Sequence, residues 1–288
     1  MVFRHFTACV ISILILSAPA SALADEKFRV CADPLNPPYS TKSGKGFENE
    51  IASLLAKKSG QHLEYTWFPQ RIGFIRNTLT AELPKDSDRR YKCDVIMGVP
   101  AGYERTLTTI PYYHSTYVLL IAQNRGWDDI KSAGQLAELD DARREKLRIA
   151  MFDRGPGTAW LKQNDLIDLG IPYQTMSGDS ENNTAMRIDK DIRAGKIDMV
   201  ILWGPMAGYV LSNAPEGSYV EIPMHSSPGI KFDFSIAMGV RFADKTRKAQ
   251  LDRLIAENRK EIEAILTRYR VPLLPIPKQR PAMDDDDD

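Results

Sequence analysis

The sequence is poor in cysteine and histidine, and it has no long apolar run beyond its first two dozen residues. It contains three cysteines, of which Cys9 lies in the apolar leader, so that only Cys31 and Cys93 follow it. Two cysteines cannot form a four-ligand zinc site by themselves. The four histidines are scattered, without an H-x-x-x-H spacing. We therefore expect no metal site and, after the leader, no membrane-spanning helix, which needs about 20 apolar residues.

A strong excess of charge of either sign is also absent. The chain has 38 basic and 38 acidic residues, and five of the acidic ones form the final run at residues 284–288. Nucleic-acid binding usually needs a strong basic patch, so we expect no nucleic-acid partner. Carboxylates suit hard cations, but this run lacks the glycine turn of a calcium loop. We therefore expect residues 282–288 to form a disordered acidic tail.

Catalytic motifs are missing as well. The sequence contains neither a G-x-S-x-G nucleophile motif nor a phosphate-binding P-loop. A carboxylate in a cleft could act as the catalytic group of a dehydratase, and the candidates are Asp33 and Glu104. Either carboxylate could instead cap a helix or form an ion pair. Because function has to be argued from an assembled site, we predict a non-catalytic protein without a cofactor.

The first 24 residues have the pattern of an export signal. A short basic start at Arg4 leads into an apolar run over residues 6–16, and Ala22-Leu23-Ala24 fits an A-x-A cleavage site. The alternative is a membrane anchor, for which the apolar run is short. We predict cleavage after Ala24 and a periplasmic protein that is not inserted in the membrane.

Strand-like and helix-like segments alternate after the leader, which predicts an α/β fold with parallel sheets. Two sets of these segments are present, so we predict two lobes, one formed by residues 25–122 and 237–281 and the other by residues 123–236. The chain would then cross between the lobes twice. Ligands of open α/β sheets bind beyond the carboxyl ends of the strands. Two facing lobes therefore predict a central cleft.

An oxidising compartment favours a disulfide between the two cysteines that follow the leader. Cys31 lies late in its predicted strand and Cys93 lies just before another. A disulfide needs their Cα atoms within about 7 Å. We predict that the bond forms, although these strand positions argue against it.

Several motifs resemble those of the extracellular solute-binding proteins of ABC importers. They are residues 32–39 (ADPLNPPY), 46–51 (GFENEI), 93–98 (CDVIMG), 155–158 (GPGT) and 194–200 (AGKIDMV). The resemblance implies the two-lobed type II fold. It also implies that Tyr39, which follows the proline pair, stacks on a ligand. A transport receptor that delivers a small solute to an importer is the function that this fold alone would suggest.

A narrower resemblance rests on residues 65–79 (YTWFPQRIGFIRNTL) and 99–104 (VPAGYE). They are similar to the accessory proteins of periplasmic quinoprotein methanol dehydrogenases, and more to that of the lanthanide-dependent enzyme than to that of the calcium-dependent one. This resemblance implies a protein that binds a dehydrogenase containing pyrroloquinoline quinone (PQQ) and assists its maturation or activation in methanol oxidation.

The chain departs from amino-acid-binding members of the wider family at two positions. Arg105 is the nearest equivalent of the arginine that binds a ligand carboxylate in those proteins. The segment that follows Arg105 is shorter here, so its side chain need not point at a ligand. A solvated arginine on the surface is an equal alternative. Trp203 stands where those proteins have an aspartate for the ligand ammonium. The amino-acid clamp is therefore incomplete, and free amino acids are poor candidate ligands.

The predicted site residues form two sets, each with an alternative interpretation. The aromatic candidates could be core residues, and the glycine turn with its threonine could be a simple helix cap instead of an anion site. The cleft candidates are Tyr39, Trp67, Arg71, Arg105, Tyr112, Gly155, Gly157, Thr158 and Trp203. The candidates for the partner interface are Trp67, Arg71, Phe74 and Arg76, unless Phe74 packs inward and the arginines are merely solvated.

Overall fold

The computed structural model describes residues 26–175, 179 and 181–278. The predicted signal peptide and its cleavage site, together with the predicted acidic tail, lie outside the described residues. Within the described part of the chain, no helix combines the length and the apolar character that crossing a membrane would require.

The first lobe is built on a parallel sheet in the order β4-β1-β5, with β12 antiparallel at the side of β5. Its elements are β1 (Lys27–Ala32), β2 (Leu35–Asn36), β3 (Ser40–Thr41), α1 (Phe47–Lys58), β4 (His62–Trp67), α2 (Phe74–Asn77), β5 (Val95–Pro100), β6 (Leu107–Thr108) and, after the second lobe, β12 (Asp233–Val240), α8 (Lys245–Glu257) and α9 (Arg259–Arg268). Helix α2 has only four residues.

The second lobe has parallel strands in the order β9-β8-β10, and β7 lies antiparallel to β10. Its elements are β7 (Tyr113–Ala122), α3 (Gly134–Ala137), α4 (Asp141–Arg144), β8 (Ile149–Phe152), α5 (Pro156–Gln163), a 3-10 turn (Ile167–Leu169), β9 (Gly170–Tyr173), α6 (Thr184–Arg193), β10 (Met199–Trp203), α7 (Gly204–Ser212) and β11 (Tyr219–Pro223).

Two neighbouring strands, β7 and β12, carry the chain between the lobes. The first part of β7 pairs with β12, from Tyr113 opposite Ile236 to Thr116 opposite Asp233. The second part of β7 pairs with β10 and β11 in the other lobe. One hydrogen-bonded ladder therefore runs through both lobes, and the predicted two-lobed α/β architecture with two crossings is confirmed.

Each lobe has its own core, because its sheet is covered by helices on both faces. In the first lobe, Phe47, Ile51 and Leu55 are spaced by four residues along α1 and pack against β1. In the second lobe, alternate residues of β7 enter two different clusters, so that Leu119 packs on the α5 side and Leu120 on the side of α6 and α7. The alternation follows from the two-residue period of a strand.

The predicted disulfide between Cys31 and Cys93 is confirmed. Its Cα atoms lie 5.5 Å apart, because Cys93 lies two residues before β5, the strand that pairs with β1 in parallel. Both side chains are buried in a cluster with Leu79 and Ile96 on the face of the sheet opposite α1. The bond therefore ties two adjacent strands beneath the cleft.

Reduction of this disulfide should lower the free energy of unfolding by about 4 kcal/mol, because a cross-link between residues 62 positions apart restricts the unfolded chain. Urea unfolding followed by tryptophan fluorescence, with and without dithiothreitol, measures the change. The double variant Cys31→Ala/Cys93→Ala is the control and should show no response to reductant. Two reactive thiols in the denatured, unreduced protein would contradict the bond.

Candidate functional site

A cavity of about 280 Å³ lies between the lobes, at the carboxyl ends of their strands. Asp33 follows β1, Pro69 and Gln70 follow β4, and Trp203 ends β10. The described lining residues are Cys31, Ala32, Asp33, Leu35, Asn36, Tyr39, Glu48, Pro69, Gln70, Phe74, Ile96, Gly98, Tyr113, Thr175, Asp179, Asn183, Thr184, Ala185, Trp203, Met206 and Ile236. Both lobes therefore contribute to the cavity.

The cavity is closed by hydrogen bonds from Asn183 across the cleft. The Nδ2 atom of Asn183 donates to Asn36 Oδ1 at 3.0 Å and to the carbonyl oxygen of Pro37 at 2.9 Å. The Oδ1 atom of the same side chain accepts from the backbone N–H of Met186 at 2.9 Å and caps α6. One amide thus couples the start of a helix in the second lobe to the loop after β1 in the first.

Asp33 organises the first-lobe wall of the cavity. Its carboxylate accepts hydrogen bonds from the backbone N–H groups of Leu35, at 2.7 Å, and Gln70. The Gln70 side chain in turn accepts from Asn36 Nδ2 at 2.7 Å. Asp33 therefore holds together the loops that follow β1 and β4, so its carboxylate has a structural role.

Glu48 places a second carboxyl group in the cavity, from the first turn of α1. Its Oε1 atom lies so close to Gly98 that a methyl group on residue 98 would sit only 2.2 Å from it. Burial raises the pKa of the Glu48 carboxyl to about 8. At neutral pH this group is therefore largely protonated.

Aromatic side chains form much of the remaining wall. Trp203 at the end of β10 and Tyr113 at the start of β7 both line the cavity. Trp203 also packs edge-on against Phe234, with ring centroids 5.9 Å apart. Tyr39 packs on Phe47 at 5.4 Å. Burial raises the pKa values of Tyr39 and Tyr113 well above 10, so both rings stay neutral.

The structure brings some of the predicted cleft residues to this site. Tyr39 and Trp203 line the main cavity, as does Phe74, which was predicted for the partner interface. Gly155, Gly157 and Thr158 line a smaller adjoining pocket of about 40 Å³ that shares Trp203 with the cavity. The Thr158 hydroxyl donates to the carbonyl oxygen of Phe152 at 2.6 Å instead of capping α5.

Other predicted residues lie elsewhere. Tyr112 is buried in the core of the first lobe, and Trp67 stacks on Tyr65 with ring centroids 4.5 Å apart. Arg71 and Arg105 are exposed, and neither lines the cavity. Glu104, the other candidate carboxylate, is exposed next to Arg105. No group of three or more His, Cys, Asp and Glu residues in the described ranges is arranged to hold a metal ion.

Sequence reasoning did not identify Glu48 or Asn183 as functional residues. Glu48 stands in a helical first turn, where acidic residues are common simply because they complement the helix dipole. Asn183 has the sequence signature of an N-cap, which it is, and nothing local shows that its amide also reaches the other lobe. Both assignments depend on contacts between distant parts of the chain.

The raised pKa of Glu48 should make the stability of the protein depend on pH. Folding favours the protonated carboxyl, so this contribution is fully present below pH 4.5 and is lost as the pH rises to about 8. The isosteric variant Glu48→Gln removes the titration and should unfold at higher urea than the wild type at pH 8 but not at pH 4.5. We expect a difference of about 2–4 kcal/mol.

Glu216→Gln, at an exposed turn of the second lobe, provides the control and should unfold like the wild type at both pH values. An identical pH dependence in the wild type and Glu48→Gln would contradict the assignment.

Comparison with known proteins places the chain in a family. No protein-family model matches it. Protein MoxJ of Methylorubrum extorquens is 31% identical over 260 residues, which cover 86% of this chain and 82% of that protein. The crystal structure of the periplasmic binding protein XoxJ from Methylobacterium extorquens AM1 is also 31% identical, with a TM-score of 0.65 over 86% of this chain and 99% of XoxJ.

The structure of MxaJ from Methlophaga aminisulfidivorans MPT superposes with a TM-score of 0.66 and covers 86% of this chain and 100% of MxaJ. Its sequence identity of 22% supports the fold alone. The fold is therefore that of periplasmic binding proteins, as predicted. The identity to MoxJ over most of both sequences shows that this chain belongs to the MoxJ family.

Proposed function

We propose that the protein acts in the periplasm as a non-catalytic accessory protein that binds a quinoprotein methanol dehydrogenase and assists its maturation or activation. The support is its membership of the MoxJ family, together with the similarity to XoxJ, which is named a periplasmic binding protein. A catalytic role has little support from the two candidate carboxylates. The Asp33 carboxylate accepts hydrogen bonds from backbone N–H groups of two loops, and Glu104 is exposed and does not line the cavity.

The surface that best fits a partner protein is the lip segment, residues 67–79, which runs from the end of β4 along the cavity mouth to two residues beyond α2. Pro69 and Gln70 of this segment line the cavity. The next residues turn outward, and Ile72 is 97% exposed. A partner that covers this solvated isoleucine would bind more favourably, because removing apolar surface from water lowers the free energy of the complex.

The side chains around Ile72 are of the types enriched at interface centres. The guanidinium of Arg71 lies over the ring of Phe68, 5.4 Å from its centroid, and Arg76 is exposed nearby. Arginine and aromatic residues contribute many of the strongest contacts in protein interfaces. Phe74 points into the cavity and Trp67 packs on Tyr65, so we assign the direct contacts to Arg71, Ile72 and Arg76.

Replacement of Ile72 by Asp should weaken binding to the purified dehydrogenase by about 1–3 kcal/mol, because it puts a charge where the partner covers an apolar side chain. Arg71→Ala should weaken binding over a similar range. Surface plasmon resonance with immobilised dehydrogenase measures both. Phe242→Asp is the matched control, since Phe242 is 59% exposed just after β12 and outside the cavity lining. Equal affinity of all three variants and the wild type would place the interface elsewhere.

The function itself is tested in cells that lack this protein. We expect their periplasmic methanol dehydrogenase activity to fall and to recover when the wild-type gene is supplied, in cultures grown with calcium or with a lanthanide. Affinity purification separates this function from the alternative of a transport receptor. A dehydrogenase subunit in the eluate supports the accessory role, whereas membrane importer subunits and full dehydrogenase activity in the deleted strain would support transport.

A further inference from the structure

The described residues on the cavity walls include aromatic and acidic groups but no basic ones. Asp33, Glu48 and Asp179 supply three carboxyl groups, and none of the described lining residues is Lys or Arg. The four neighbouring residues outside the described ranges, 176–178 and 180, are Met, Ser, Gly and Ser in the sequence. Arg154, an exposed residue, lines the smaller adjoining pocket instead. A ligand carboxylate in the cavity would therefore find no cation to compensate it.

Glu48 is the carboxyl group best placed to meet a ligand. Asp33 already accepts hydrogen bonds from two backbone N–H groups, and Asp179 has an interaction of its own. No hydrogen bond or ion pair joins the Glu48 carboxyl to any described residue. Its oxygen lies over the backbone of Gly98, where the absence of a side chain leaves it room. Its capacity to accept hydrogen bonds is thus available inside the cavity.

The aromatic rings around Glu48 come from several elements. Tyr39 lies in the loop before α1, Tyr113 at the start of β7 and Trp203 at the end of β10. Aromatic rings attract cations through their electron-rich faces, and a carboxylate supplies the balancing charge.

We propose that the cavity binds a small organic cation, an amine or quaternary ammonium that carries no carboxylate, with Glu48 as its counter-ion and Tyr39, Tyr113 and Trp203 around it. The volume of about 280 Å³ limits the ligand to a small molecule. This inference concerns the cavity alone and does not depend on the dehydrogenase partner.

Binding should release a proton from Glu48. The groups that face Glu48 are Tyr39, Tyr65, Tyr112 and Tyr113, and the cavity also contains Asp33 and Asp179. Burial keeps the pKa values of the four tyrosines above their usual range, so that none is charged near neutral pH. A cation favours the ionised carboxylate, whose pKa without ligand is about 8. Affinity should therefore rise up to about tenfold per pH unit below that pKa and level off above it.

Isothermal titration calorimetry of the mature protein tests the proposal with three probes of similar shape. Tetramethylammonium is the cation, tert-butanol the neutral analogue and pivalate the anion. We expect tetramethylammonium to bind at least about tenfold more tightly than the other two, and more tightly at about pH 7.5 than at about pH 6.5. Comparable binding of tert-butanol would overturn the proposal in favour of a neutral ligand that accepts a hydrogen bond from protonated Glu48.

Two variants test whether the Glu48 carboxyl contributes to tetramethylammonium binding. Glu48→Gln keeps the shape of the side chain and should weaken tetramethylammonium binding by at least about tenfold and abolish its pH dependence. Gly98→Ala should weaken it as well, because the new methyl group displaces the Glu48 carboxyl. The controls are Glu216→Gln, at an exposed turn, and Gly134→Ala, whose methyl group would meet no atom within 4 Å.

Wild-type affinity in Glu48→Gln, once urea unfolding shows that it is folded, would refute the proposed role of Glu48. Preferential binding of pivalate, or no saturable heat with tetramethylammonium or methylammonium up to about 10 mM, would refute a cation site.

Discussion

The antiparallel pairing of β7 with β12 joins the strands of both lobes in one hydrogen-bonded sheet. These neighbouring strands are shared by the two lobes, and their hydrogen bonds, from Tyr113 opposite Ile236 to Thr116 opposite Asp233, fix how the lobes face each other. The same pair continues into both cores, since β7 is buried on both faces in the second lobe and β12 pairs with β5 in the first. The cavity lies beside this pair, and Tyr113 and Ile236 are part of its wall.

Closure of the lobes creates an environment that neither lobe provides alone. The Asn183 amide joins the loop after β1 to the first turn of α6 at the edge of the cavity. Tyr39 of the first lobe and Trp203 at the end of β10 line the same cavity. Loss of solvation raises the pKa of the Glu48 carboxyl in this cavity.

The chemistry of the cavity separates this chain from receptors that clamp free amino acids. Arg105 is exposed and does not line the cavity, whereas Trp203 lines it with an aromatic ring. The lip segment beside the cavity presents Ile72 and Arg71 to solvent. The proposed ligand site and the proposed partner surface therefore adjoin each other, since Pro69 and Gln70 of the lip segment also line the cavity.

Sequence patterns predicted the alternating elements, the two lobes, the crossings and the family resemblance, because these depend on local periodicity and on short contiguous motifs. Helix α1 is the clearest case: Phe47, Ile51 and Leu55 indicate its buried face, and Gly60 with a positive φ follows its end. The tertiary structure alone decided the length of α2, where the chain turns outward at Ile72 instead of beginning a helix.

The tertiary structure also decided which polar and aromatic residues meet. The structure places the predicted cleft residues Tyr39 and Trp203 in the cavity wall. It places Tyr112 in the core of the first lobe, although the adjacent Tyr113 lines the cavity. Tyr113 begins β7 and Tyr112 directly precedes it, and only the packing of the assembled lobes decides which of these two adjacent tyrosines reaches the cavity. The surroundings of the Glu48 carboxyl likewise include residues of β5 and β7, which are distant in the sequence.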